Sequence, residues 1–540
     1  MKRLSLYLST GLLALFTSCA DFLDTNPYDA LSPATTWKTE QDAEKFVIGV
    51  YNNWLDGGTI LYQDCGSDFG YNNFPWEGWR NWGDGSLTAS NAGASFYDFS
   101  NVQRCNIFLD NIDKITFADA NKKKDLVAQV RAMRAYDYFV LNFWYGGVPI
   151  VDYYTSAEEA KVPRDTEEKV KQYVYDEIDA AIADIELTPS ARGRVAKGAA
   201  LAIKMRSALY WGDNQRAKDA AKAIMDLKQY DLDADFANLF NMAGQGSSEI
   251  ILAVQYIPVT RGLGTIGQMY NNGDGGWSSI TPTQNLIDTY EMKDGLTKEE
   301  SPLYDAAHPY MNRDPRMAMT ILFPGQNFEG SVFNTLDKTL SDGSKNSNFP
   351  LVADNASKTA LTWAKYLTPM GQYDDVWDTG ACPIVFRFAE VLLSYAEATN
   401  ELTGPSTEVY DALDDIRERV GMPAVDRTKY NTKESLRELI RRERGVEFAG
   451  EGLRRADIVR WKDNSGKLVA ETVLNGPLYR PVGTVNHDEP DVFKRATINL
   501  NASSEERLVE NRQFKPYNRY LPIPQSSIDK NPKLEQNDGY

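Results

Sequence analysis

Histidine is nearly absent from this chain of 540 residues: His308 and His487 are the only two. Metal centres and Ser-His or Cys-His catalysis draw mainly on histidine. With two residues so far apart, neither is read as catalytic, and no metal site is expected. Cysteine is scarce as well, at four residues. Cys19 stands apart near the start, which leaves Cys65, Cys105 and Cys382. An odd number excludes a fully paired disulfide framework. Cys65 and Cys105 either pair or remain as buried free thiols. No apolar run reaches the roughly 20 residues that span a bilayer as a helix. Positive charge is in deficit, with 58 Lys and Arg against 76 Asp and Glu and a formal net charge of -18. So acidic a surface repels phosphate backbones, which argues against a nucleic-acid partner and leaves neutral ligands open.

Aromatic residues, by contrast, are abundant: 11 Trp, 29 Tyr and 22 Phe. Many fall in stretches rich in Gly and Asn that read as loops, where function concentrates. Hydrophobic residues at 42% and charged residues at 25% are ordinary globular values. The length suffices for one large domain or two to three ordinary ones.

The N-terminus reads MKRLSLYLSTGLLALFTSCADFLD. Lys2 and Arg3 precede a short apolar stretch, Leu4 to Phe16, and the small residues Thr17 and Ser18 precede Cys19. Residues 1–18 are expected to be a secretory signal. The whole resembles a bacterial lipoprotein cleavage site, although Phe16 stands where Leu is usual. Cleavage would make Cys19 the lipidated first residue, with palmitate among its acyl chains. Each buried methylene adds about 0.8 kcal/mol of anchoring. Asp21 and Asp24 follow the cysteine, an arrangement that in Bacteroidetes lipoproteins resembles a signal for export to the cell surface. Residues 19–38 read as a tether.

Beyond the tether, Thr39 to Trp54 carries apolar residues at helical spacing, whereas residues 56–100 show no helical period and read as a long structured loop. Helices are predicted over 124–145, 168–186, 192–211, 215–228, 384–402, 408–421, 433–448 and 454–461. Gly212, Asp213 and Asn214 make a tight turn between the third and fourth. That pair, AKGAALAIKMRSALYWGDNQRAKDAAKAIM, looks like a tetratricopeptide unit: Ala199, Ala202, Ala220 and Ala221 permit close approach, while Met205, Leu209 and Ile224 fill the groove. Such units need stacked neighbours. The expected neighbours are 124–145 with 168–186 and 384–402 with 408–421. Residues 230–380 are loop-rich, with short β-like runs such as IILAVQYI at 250–257.

Six segments, taken in order, resemble the SusD/RagB family: VRAMRAYDYFVLNFWYGGVPIV (130–151), the tetratricopeptide-like pair, PTQNLIDTYEMKDG (282–295), PIVFRFAEVLLSYAEATN (383–400), IRRERGVEFAGEGLRRADIVRW (440–461) and YLPIPQSSIDKNPKLEQNDGY (520–540). The resemblance implies a mainly α fold, with tetratricopeptide-like hairpins as a superhelical scaffold, a loop-rich ligand-binding region and minor short β-strands. It implies a single domain over 39–540, made of an N-terminal helical part (39–230), a loop-rich ligand-binding part (231–380) and a C-terminal helical part with an extended tail (381–540). It also implies a non-enzymatic outer-membrane lipoprotein facing the cell exterior. Such a protein captures a glycan or another nutrient and passes it to a SusC-like TonB-dependent transporter. Within the fifth segment, Arg441, Arg442, Glu443, Arg444, Glu447, Glu451, Arg454, Arg455 and Asp457 alternate in sign at helical spacing. They read better as a partly buried ion-pair network than as a binding site.

Sugars present apolar C–H faces ringed by hydroxyls, so a binder needs flat aromatic platforms with polar partners at the rim. Two loops supply both. In YQDCGSDFGYNNFPWEGWRNWGDG (62–85) the candidates are Trp76, Trp79, Arg80, Asn81, Trp82 and Asp84. In MYNNGDGGWSSITP (269–282) they are Tyr270, Asn272, Asp274 and Trp277. A third segment, GQYDDVWD (371–378), adds Tyr373 and Trp377. The Asn-Asn-Gly-Asp-Gly run could offer oxygen ligands to a structural Ca²⁺ but lacks the spacing of an EF-hand loop; no other cofactor is indicated. Two other functions remain open from the residues alone. One is a protein-assembly scaffold with little glycan affinity, the other a glycoside hydrolase built on a carboxylate pair.

Overall fold

The computed structural model describes residues 37–152, 154, 156–328, 330–369 and 371–540. The predicted signal, Cys19 and the tether up to residue 36 lie outside the described residues.

Helix α1 spans Glu40–Trp54 and opens on a capping box. The Thr39 side chain accepts from the Asp42 N–H while the Asp42 carboxylate answers the Thr39 N–H. Its buried face, Ala43, Val47, Val50 and Trp54, is the one the spacing predicted. The next segment departs from expectation. Instead of irregular loop it holds a short helix, Gly57–Gln63, a strand β1, Gly70–Asn72, and a second short helix, Arg80–Asp84. Elements this short, largely buried on all sides, show no amphipathic period.

Helices α2 (Ser100–Asn111), α3 (Ala120–Tyr145) and α4 (Glu167–Asp184) follow. Helix α3 ends at Gly146, where φ is +66° and the N–H returns to the Asn142 carbonyl. A Cβ there would meet the Tyr520 ring at 2.8 Å, so both the left-handed turn and the close approach require glycine. Helices α5 (Lys197–Tyr210) and α6 (Asn214–Leu227) are the predicted tight pair, the second capped by Asp213. Two strands follow, β2 (Ile250–Ala253) and β3 (Ile280–Pro282), and then β4 (Ile384–Arg387). The start of the helix predicted at 384 is therefore strand: residues 384–387 pair with β2, and Arg387 becomes the N-cap of α7 (Phe388–Thr403). Helices α8 (Thr407–Glu418), α9 (Lys433–Glu447) and α10 (Arg454–Arg460) follow, then the paired strands β5 (Asn475–Tyr479) and β6 (Leu508–Gln513).

Helix α3 packs on α4, α5 on α6 and α7 on α8, and the pairs are joined by α4 against α5 and α6 against α7. The scaffold is thus a stack of three helical pairs. The loop-rich insert leaves between the second and third pairs, so α6 and α7 meet across roughly 160 residues of intervening chain. Strands among the described residues form only two-stranded antiparallel ladders. One apolar cluster runs from Ala43 to Leu534; a smaller one lies among α7, α8 and α9. Cys65, Cys105 and Cys382 are buried free thiols, which settles the alternative left open by the sequence.

The predicted ion-pair network exists and is buried. Arg316 binds Asp314 at 2.6 Å and Glu443 and Glu447 at 3.0 Å each. Arg387 reaches Glu249 at 2.8 Å, Glu447 at 2.6 Å and Glu451 at 2.7 Å. Lys365 joins Glu451 at 2.7 Å, and Arg417 and Arg419 of the α8 end close on Glu443 and Glu447. Burial works to raise the Glu447 carboxyl, but Arg419, Arg387 and Arg316 outweigh it and hold it well below the usual carboxylate range. Four of its members, Glu249, Asp314, Arg316 and Lys365, belong to the insert. The network therefore fastens the loop-rich region to the helical stack.

Candidate functional site

Strand β1 pairs with β3, and the ladder continues as the Asn73 N–H donates to the Ser279 carbonyl at 2.9 Å. Residues 73–77 and 276–279 therefore leave the ladder at the same end. Each carries an exposed indole: Trp76 is 78% accessible and Trp277 is 48% accessible. Trp76 rests on Phe74, with ring centroids 4.8 Å apart and planes 26° apart. Trp277 lies against Trp377, itself 36% accessible, with centroids 4.8 Å apart and a 57° angle between planes. Trp377 comes from the third predicted segment, so the fold brings all three together: the first pairs with the second along the ladder, and the third meets the second through the two indoles.

Backbone hydrogen bonds fix this arrangement before any ligand arrives. The Trp277 N–H donates to Gly267 at 3.2 Å, the Ser278 N–H to Tyr270 at 2.9 Å and the Ser279 N–H to Gln268 at 2.7 Å. Ser278 is held at φ +47°, unusual for a residue with a side chain. Gly276 has no room for a Cβ, which would sit 2.2 Å from the Tyr270 carbonyl oxygen. A second loop buttresses the first. Asn348 accepts from the Gly273 N–H at 2.6 Å, Asn355 donates to the Gly276 carbonyl at 3.3 Å, and Asn73 donates to the Asp354 carbonyl at 3.0 Å. The Trp377 ring lies on Gly267, where a Cβ would approach it to 2.5 Å.

Three predicted platforms are corrected by burial. Trp79 is buried and stacks on Tyr62, with centroids 5.9 Å apart. Trp82 is buried, donates its indole N–H to the Ala94 carbonyl at 2.9 Å and packs edge-on against Trp144. Tyr270 is buried with its hydroxyl donating to the Leu367 carbonyl at 3.3 Å. Their rings offer no face to a ligand. Trp79 and Trp82 belong to the start of the short helix Arg80–Asp84 and turn into the core, whereas Trp76 precedes the left-handed Gly78 and faces solvent. Tyr373 is half-buried, and its hydroxyl donates to the Tyr366 carbonyl at 2.7 Å.

The polar candidates are largely engaged in shaping the loops. Arg80 pairs with Glu510 at 3.1 Å and lies over the Tyr71 ring. Asn81 donates to Ser86, and Asp84 accepts from the Ser86 N–H, closing the turn after their helix. Asn272 donates to the Ser347 carbonyl at 2.8 Å, and Asp274 bonds the Asn271 side chain. The Asn-Asn-Gly-Asp-Gly run thus makes a self-capped turn, and among the described residues no group of three His, Cys, Asp or Glu is placed to hold a metal ion. Sequence reasoning passed over Val259, which is 95% accessible at φ +68° and whose N–H donates to Asp378 beside Trp377 at 2.7 Å. A β-branched residue at positive φ on the surface is strained, and only the structure reveals it.

The family model described as the SusD family matches residues 248–540. A second model, described as starch-binding and associating with the outer membrane, matches residues 21–209. A SusD-like protein of Formosa agariphila is 25% identical over 484 residues, covering 82% of this chain and 87% of the relative. A SusD-like protein of Bacteroides ovatus is 24% identical and covers 99% of this chain and 98% of its own. Among solved structures, a SusD-like carbohydrate-binding protein from Bacteroides fragilis superposes with a TM-score of 0.80 at 28% identity, over 93% of this chain and 100% of that one. The chain belongs to the SusD family, a class of mainly helical proteins associated with the outer membrane. No helix among the described residues is long and apolar enough to cross a membrane.

Proposed function

We propose that this protein binds a glycan at the bacterial cell surface, without chemical conversion, and delivers it to a SusC-like TonB-dependent transporter. The observation that carries the reading is the touching, solvent-facing pair Trp277 and Trp377, with Trp76 on the neighbouring chain, all three held on loops braced by backbone hydrogen bonds. Indole faces left open to water are suited to the C–H faces of sugar rings, and Asn and Asp side chains nearby can serve the hydroxyls. The carbohydrate-binding relative from Bacteroides fragilis supports the same reading at 28% identity. In this reading Cys19 carries the acyl chains, palmitate included, that tether the protein to the outer membrane with its loops facing outward.

The test is titration calorimetry of the mature chain, with Cys19 replaced by serine, against a panel of oligosaccharides and polysaccharides. Binding to at least one glycan, weakened by Trp277→Ala, is expected. Steady release of reducing ends during incubation would instead favour the hydrolase reading. Co-purification of the lipidated protein with a TonB-dependent transporter from outer membranes checks the delivery step.

A further inference from the structure

A cavity separate from the exposed indoles lies among the helices. It measures about 270 Å³ and opens between the C-terminal end of α1, the turn at Ser95–Asp98, the middle of α3 and the segment Glu451–Leu453. None of the Trp76, Trp277 or Trp377 loops contributes to it. Its walls are aromatic: Trp54, Phe96, Tyr136 and Trp144 line it, and Trp54 meets Tyr136 edge-on with centroids 5.5 Å apart. On α3, Asp137 and Tyr136 lie deep below the surface yet keep solvent-accessible area, because the cleft reaches down to them.

The polar groups of this cleft are unevenly matched. Asp137 accepts from the Asn101 amide at 2.8 Å and is also approached by the Trp54 indole N–H, but among the described residues it has no ion-pair partner. The amide oxygen of Asn101 is buried and lacks a donor. Among the described residues the one cation lining the cleft, Arg206, is fully committed: it binds Glu390 at 2.6 Å, donates to the Val385 carbonyl and lies over the Phe386 ring at 3.9 Å. The remaining acids are already answered. Asp56 caps the short helix that follows it, Asp98 accepts from Ser100, and Glu451 is held by Arg387 and Lys365. A carboxyl group without a cation, a buried acceptor without a donor and a set of aromatic faces therefore meet in one opening.

We infer that this cleft is a second ligand site, taking a small molecule that carries an ammonium group, with Asp137 as its counter-charge and Trp54 and Tyr136 as its walls. An ammonium brings three N–H donors and a positive charge, which suits the Asp137 carboxylate, the Asn101 oxygen and the ring faces together. A neutral hydroxyl answers only part of that set. The volume is just under that of ordinary small-molecule sites, about 300–1,000 Å³, and accommodates one ring or a short chain. Burial pushes the Asp137 carboxyl up to about 8, with the Asn101 bond pulling it back and Asp98 adding to the rise. An arriving cation reverses that balance, so at neutral pH binding expels a proton from Asp137.

Benzylamine and glucosamine, with benzyl alcohol and glucose as neutral counterparts, are the probes. Titration calorimetry of the mature chain is run in two buffers of different ionisation enthalpy. A dissociation constant of a few millimolar or tighter is expected for at least one ammonium probe, at least tenfold weaker binding for its neutral counterpart, and a buffer-dependent heat that reports proton release. Binding of benzylamine alone marks an alkylammonium ligand, and binding of glucosamine alone marks an amino sugar. Asp137→Asn should weaken binding at least tenfold while leaving glycan binding at the loops unchanged. The proposal is overturned by the absence of ammonium binding at 10 mM, by equal binding of the neutral probes, or by the absence of proton release. The last two measurements use the unaltered chain and do not depend on the variant folding. Loss of glycan binding in Trp277→Ala neither requires nor affects any of these outcomes.

Discussion

Replacing Trp277 by alanine tests the proposed capture surface most directly. The ring is 48% accessible. A tryptophan presents on the order of 250 Å² when fully exposed, which leaves about 120 Å² open here. A sugar stacked on one face covers about half of that. At roughly 25 cal/mol per Å², the contact contributes about 1.5 kcal/mol, or somewhat more than tenfold in affinity. The same reasoning for Trp377, at 36% accessible, gives about 1.1 kcal/mol, near sixfold. Because the two rings touch at 4.8 Å, removing one also loosens the other. The double variant is therefore expected to lose a different amount from the sum of the single losses. Titration calorimetry against the best-bound glycan reads all three losses, and far-UV circular dichroism checks that the fold persists. If both single variants stay within twofold of the parent while folded, the exposed indole pair is not the capture surface.

Trp82→Ala should behave differently. The ring is buried against Trp144 and Phe96, so the loss should fall on stability, about 3–5 kcal/mol in a urea melt. Glu447→Gln removes one carboxylate from between Arg316, Arg387 and Arg419; leaving those cations underpaired should cost about 3–5 kcal/mol and lower the denaturation midpoint. Acid should act on a second ion-pair cluster, in which Glu397 of α7 meets Arg460 at 2.6 Å and Arg444 at 3.4 Å. Burial tends to raise the Glu397 carboxyl, yet Arg460 and Arg444 bring it down to about 2. A carboxyl depressed in the folded state contributes stability above its unfolded value of about 4.5. That contribution is fully present at neutral pH and is lost progressively as pH falls from about 4.5 toward 2, which a series of thermal melts would follow. Cys65, Cys105 and Cys382 should resist a thiol reagent in the native chain and all react once it is unfolded, since each is buried and unpaired.

The helical stack was legible because amphipathic spacing, caps and the Gly-Asp-Asn turn all act within a few residues of chain. Helix α1 ends at Trp54 and α3 at Tyr145, where the sequence spacing placed their ends. The alternating charges of α9 were also readable as a network, although their partners Glu291, Arg316 and Arg387 lie far away in the chain and could not be named. The loop site was only half legible. Composition picks out segments rich in indoles, but whether an indole faces water depends on which neighbours cover it. Trp76 and Trp82 are six residues apart in one segment, yet one projects into solvent and the other packs under Trp144 and Phe96. The Asp137 cleft left no local trace, since its parts come from six separate stretches of chain.

The place where the insert departs from the stack bears on how such a molecule can vary. Helices α6 and α7 close against each other regardless of what is strung between them. The entropy of closing so long a loop rises only with the logarithm of its length, about 0.6 kcal/mol for each doubling. Residues can therefore be added to or taken from the outer loops at little thermodynamic expense, so long as Glu249, Arg316 and Lys365 still reach their partners in the helical stack. The recognition face can be rebuilt while its mounting stays the same.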